Sequence, residues 1–152
     1  MAKQATNRFK SAVEKTPDIE KCYKVGLRAL GSNSTKVSMG NPSLCNGSVE
    51  IDKCVKSKYP NTNRWDYCFS YKGEAHFVEV HSAYTSEINT VLRKLKWLKE
   101  WLISEAPEIN KLRAKEPFYW LQSGKNGVLT GSSQYRRLVI AGIKPVSRLS
   151  LK

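Results

Sequence analysis

Two carboxylates and an imidazole, Asp66, Glu79 and His81, fall in a stretch whose alternation can bring them together. From Trp65 to Tyr71 aromatic residues alternate with smaller or polar ones, the period of a strand, and residues 76–81 alternate again. Between the two runs, Lys72-Gly73 predicts a two-residue hairpin loop, with the glycine free to take positive φ. That loop pairs Tyr71 with Glu74, and hence Cys68 with Phe77, Asp66 with Glu79 and Arg64 with His81 on one face. Trp65, Tyr67 and Phe69 then lie opposite Val80, Val78 and His76 on the other. A loop of another length would send the two acids apart. Directly opposed side chains have Cβ atoms about 5 Å apart, and two carboxylates there repel by roughly 3 kcal/mol at an effective dielectric of about 20. Acids held so close require a cation between them or a shared proton. Converging oxygen ligands suit Mg²⁺ or Mn²⁺.

The elements that must position these groups follow directly. After the hairpin, Thr85 or Ser86 is a helix cap with Glu87 in the first turn. Ile88, Val91, Leu92, Leu95, Leu98 and Leu102 form one apolar stripe, expected to cover the aromatic face of the hairpin. Trp97 and Trp101 fall off that stripe, so they face a second buried surface, against the N-terminal helices or in the interface of a homodimer, or form an exposed platform for base stacking. Lys94 lies between them and the stripe, on the shoulder of the helix. From there it either points to solvent or reaches the acids.

An Asp at the start of one strand and Glu-x-basic in the next, followed by a long helix, resembles the PD-(D/E)XK nuclease superfamily. The resemblance covers roughly residues 48–105. It implies that Asp66 is the metal-binding Asp and Glu79 the second acid, and that His81 stands where that superfamily usually has Lys. In the superfamily the helix before the first core strand often carries a further acid. Glu50 is the candidate metal ligand there, with Asp52 as its alternative. Mg²⁺ or Mn²⁺ is the implied cofactor. For the cation or proton acceptor beside the acids, His81 is favoured because it shares the face of Glu79. Lys94 is the alternative.

The rest of the chain predicts helices at 5–15 and, from the Thr16 cap and Pro17, on to Gly31. A Gly-, Ser- and Asn-rich loop follows, holding at most a short strand at 36–39, and a helix runs from Ser48 to about Lys58. Later come a buried strand at 118–122, a turn at 123–127 with Lys125, and a helix capped by Ser132 or Ser133. That helix ends at Gly142, and a last strand covers 146–151. The expected fold class is α/β (α+β), a central mixed sheet with a hairpin core flanked by helices, restriction-endonuclease-like. One domain is expected over 1–152, with N-terminal helices and a loop (1–47) packed on a nuclease-like core (48–152).

The net charge of +13 over 152 residues is spread along the chain rather than held in a tail, which favours a polyanionic partner. Nucleic acid is the expected partner, ahead of an acidic membrane surface, and DNA ahead of RNA. Arg64, Lys125, Gln134, Arg136 and Arg137 are the candidate contacts, the last three in the first turns of a helix. The rival readings are a binding module without cleavage and a basic protein-interaction domain. No apolar run approaches transmembrane length and the first residues lack the apolar core of a signal peptide, so a cytoplasmic protein without a membrane is expected. Cys22, Cys45, Cys54 and Cys68 fit no CxxC spacing, which argues against a zinc or redox motif; reduced intracellular thiols are favoured, with a disulfide as the alternative.

Overall fold

The hairpin forms as its turn dictates. Lys72 and Gly73 both take positive φ, 53° and 79°, the backbone of a tight turn that matches strand twist. Strands β4 (Tyr67–Tyr71) and β5 (Glu74–Ser82) pair antiparallel with Tyr71 opposite Glu74, Cys68 opposite Phe77 and Tyr67 opposite Val78. The computed structural model, which describes residues 7–82, 84–123 and 132–152, builds outward from this pair. On one side are β3 (Gly47–Glu50) and β1 (Lys24–Val25), both antiparallel. On the other are β6 (Arg113–Ser123) and β7 (Ile143–Val146), both parallel. The result is a mixed six-stranded sheet, ordered β1-β3-β4-β5-β6-β7. Parallel neighbours need a crossover. The helix α3 (Ile88–Ser104) and the short α4 (Pro107–Asn110) connect β5 to β6, and α5 (Ser133–Ala141) precedes β7.

Each sheet face has its own core. On one, Cys68, Phe77, Phe118 and Trp120 pack against the buried stripe of α3 and against α1 (Arg8–Glu14). On the other, Phe69, Tyr71, Val78, Tyr119 and Leu121 meet Leu30 of a 3₁₀ segment (Arg28–Lys36) and a two-stranded parallel sheet. That small sheet joins β2 (Val37–Met39) to β8 (Leu149–Leu151).

Several expectations are corrected. The apolar stripe of α3 does form, but it covers the face that carries the acids rather than the face of Tyr67 and Phe69. Trp65 precedes β4 and packs edge-on to Phe118 in that same core. No helix runs from Thr16 to Gly31. A single 3₁₀ turn (Pro17–Ile19) gives way to β1, and both Gly26 and Gly31 have φ of 56°, incompatible with a continuous helix. Ser48 lies in β3 instead of capping a helix, and of the stretch expected to be helical up to about Lys58 only α2 (Ile51–Val55) is an α-helix. The final strand divides into β7 and β8, which belong to different sheets. Cys22 and Cys54 form a disulfide between the segment before β1 and α2, while Cys45 and Cys68 are buried thiols. Among the described residues no helix is long and apolar enough to cross a membrane.

Candidate active site

The last rung of the hairpin is made by side chains. Just beyond the β4–β5 ladder, the Asp66 amide donates to Glu79 Oε1 at 3.1 Å, and the Val80 amide donates to Asp66 Oδ2 at 3.0 Å. Each carboxylate thus takes a backbone amide of the opposite strand. This locks the two acids side by side. Glu79 is fully buried, with Trp120 beside it in the parallel register. The Trp120 indole donates to the His81 carbonyl at 3.1 Å.

Lys94 supplies the cation. It rises from the second turn of α3, donates to Asp66 Oδ1 at 3.5 Å, and makes a shorter contact with Glu79 Oε2. Its side chain is 15% exposed. The lysine reaches the acids because α3 packs on their face of the sheet. Burial pushes the Glu79 carboxyl well above the usual carboxylate range, the charge of Asp66 adds to this, and Lys94 pulls against both. Asp66 is raised for the same first reason, with Lys94 and the Val80 amide opposing. Burial works against the charged form of Lys94, but the attraction of Glu79 and Asp66 wins and raises it.

His81 lies on the same face as strand alternation requires, with Nδ1 at 3.9 Å from Glu79 Oε2. Its other ring nitrogen, Nε2, lies 2.6 Å from Glu87 Oε1 at the start of α3. Sequence reasoning placed Glu87 only as a first-turn acid. Its spacing from His81 gave no sign of the pair, because the turn between strand and helix sets that distance.

Other candidate residues lie elsewhere. Glu50 pairs in register with Tyr67, one step out of phase with Asp66. It lines a shallow groove with Lys21, Lys24 and Lys53 beside the disulfide, so the structure does not bring it to the acids. Arg64 does not pair with His81 or face outward. Its Nε donates to Asp52 Oδ1 at 2.8 Å and its Nη1 to the Tyr59 carbonyl at 2.6 Å, because the chain leaves the ladder before this position. Trp97 and Trp101 stack on each other at 5.7 Å. Trp101 is buried, with its indole donating to Asp18 Oδ2 at 3.0 Å, so it packs within the chain. Ser132 caps α5 by accepting from the Tyr135 amide. Of the three candidates on that helix, Arg136 is exposed, Arg137 donates to Asn89 Oδ1 at 2.7 Å, and Gln134 accepts from Ser133 at 3.2 Å. Lys125 lies outside the described residues.

Among the described residues no group of three or more His, Cys, Asp and Glu is placed to share a metal ion. The donor set that does converge is two carboxylates on neighbouring strands, with no thiolate. This fits Mg²⁺ or Mn²⁺, since Mg²⁺ is commonly held by one or two carboxylates and completed by water and substrate phosphates. Comparison with family models, with curated proteins and with solved structures gives no match to this chain.

Proposed function

We propose that this chain is a metal-dependent nuclease-like protein acting on DNA or structured nucleic acid, with a restriction-endonuclease-like arrangement of its sheet. The observation that carries the reading is the cluster itself: two acids on adjacent strands, a lysine bridging both, and a histidine alongside. Burying two carboxylates destabilises a fold unless something compensates, and perturbed groups of this kind concentrate at functional sites. The surrounding order of elements, an acid-bearing hairpin followed by a long helix and a parallel strand, supports the resemblance to the PD-(D/E)XK superfamily. The cation comes from the helix instead of the strand.

In this role Asp66 and Glu79 would hold Mg²⁺ or Mn²⁺, which would supply Lewis-acid chemistry toward a phosphate and a water. Lys94 places its ammonium where negative charge builds on the phosphate oxygens, the preorganised stabilisation that hydrolysis of a phosphodiester requires. Glu87 orients the His81 ring, which stands beside Glu79 as an acceptor for the proton of water. Arg136 at the start of α5 and the overall positive charge supply contacts to the backbone phosphates.

Digestion of plasmid and single-stranded DNA with Mn²⁺ tests the reading. Wild type should cleave, and Glu79→Gln, Lys94→Ala and His81→Ala should each lose about a hundredfold or more. A wild type that cleaves neither substrate removes the enzyme.

A second reading has one observation in its favour. All four oxygens of the acid pair already accept a hydrogen bond from the chain, as a purely structural ion cluster would. That suits a nucleic-acid-binding module of the same fold without cleavage, and salt-dependent binding without hydrolysis would select it.

A further inference from the structure

The Lys94 ammonium contacts Asp66 Oδ1 and Glu79 Oε2 together, one oxygen from each acid. The other two oxygens, Glu79 Oε1 and Asp66 Oδ2, accept the Asp66 and Val80 amides, so a divalent cation held by the pair would draw on the two that Lys94 occupies. The lysine and the ion cannot share them at contact distance, because both are cations. If the lysine withdraws, its ammonium, on a side chain only 15% exposed, loses both carboxylate partners, and a partly buried cation without a partner is strongly disfavoured. A phosphodiester oxygen is an acceptor of the right charge and hydrogen-bonding capacity to replace them.

We infer that Lys94 competes with the divalent cation for the Asp66–Glu79 pair and is released onto a phosphate oxygen of the bound nucleic acid, so that metal and nucleic acid bind cooperatively through this one lysine. The inference rests on the nuclease reading above and adds a regulation of the same site. Metal alone binds weakly because it must break two ion pairs. Nucleic acid alone binds without the phosphate contact that Lys94 provides, since the lysine is held by the acids. Each ligand removes the other's obstacle, and linkage makes the two effects equal.

The test is Mn²⁺ affinity, read by the electron paramagnetic resonance of the free ion at one fixed pH. It is measured with and without a phosphorothioate DNA duplex that resists cleavage. In wild type the duplex should tighten Mn²⁺ binding about tenfold or more. In Lys94→Met, Mn²⁺ alone should bind about tenfold tighter than to wild type, and the duplex should add little. Lys94→Gln, neutral and still a hydrogen-bond donor, provides the same comparison should the methionine variant fail to fold, with circular dichroism as the check. Lys99→Met on the same helix should behave as wild type. Mn²⁺ binding that Asp66→Asn abolishes, but that the Lys94 variants and the duplex leave unchanged, overturns the inference and keeps the metal site. Absence of Mn²⁺ binding by every variant, with or without the duplex, overturns both.

Discussion

His76 and His81 stand on one strand an odd number of positions apart, so they face opposite sides of the sheet. His81 reaches the acids. His76 is buried against Phe69, ring on ring at 5.3 Å, with Tyr119 beyond and no hydrogen-bond partner for Nδ1. Burial lowers its pKa from 6.5 to about 4. The unfolded chain therefore takes up the proton first as pH falls. The stability contributed by neutral His76 is complete above about pH 6.5 and is lost as pH drops toward about 4, by up to about 1.4 kcal/mol per unit within that window. His76→Phe keeps the stack and removes the proton. Its melting temperature should fall less between pH 6.5 and 4.5 than that of wild type, and parallel curves would refute this. The difference between the two proteins is the measure, because carboxyl groups titrate equally in both. At this scale the sequence was legible where a neighbour two residues away settles the geometry, as for Glu79 and His81. It was not legible for Lys94, whose position depends on which face α3 crosses. Alternation favoured His81 as the group beside the acids, yet the structure puts the Lys94 ammonium in direct contact with both.

Among the elements, the hairpin was readable because two residues of turn fix its whole register. The segment from Thr16 to Gly31 was not. Its apolar spacing suits a helix, but pairing of β1 with β3 and the positive φ at Gly26 and Gly31 override the local preference. What holds this segment is Asp18. Its carboxylate accepts from Lys58 at 2.5 Å, Tyr59 at 2.6 Å and Trp101 at 3.0 Å, and the disulfide from Cys22 to Cys54 closes the same region. Burial raises the pKa of Asp18, but these three hydrogen bonds outweigh it and hold the group below its ordinary value. Asp18→Ala leaves the Tyr59 hydroxyl and the Trp101 indole N–H without their acceptor. It should destabilise the protein by about 2 kcal/mol or more in urea unfolding. Lys58→Ala, at a side chain 56% exposed, should have a much smaller effect. Equal losses for the two would mean that the buried donors find other partners. The disulfide itself was hidden in the sequence, because its two cysteines meet only once α2 docks beside the segment preceding β1.

For the molecule as a whole, the charge of +13 leads to a measurement independent of catalysis. Four or more phosphate contacts imply that nucleic-acid affinity falls about a hundredfold between roughly 50 and 200 mM salt. Binding indifferent to salt would exclude the nucleic-acid partner. The sheet also carries a consequence for time. From β3 to β7 its spatial order is its chain order, so each strand finds a neighbour near in sequence. The β2–β8 pair breaks that rule: Ser38 and Ser150, bonded across it, are 112 positions apart. Closing so long a loop is entropically unfavourable, and the pair is placed to form after the barrier has been crossed. Leu149, buried in the core beneath it, is the probe. Leu149→Ala should leave the refolding rate nearly unchanged in stopped-flow traces while accelerating unfolding, and slowed refolding would place β8 in the nucleus. On this account the small sheet acts as a clasp: it governs how long the folded chain lasts, and hardly how fast it is reached.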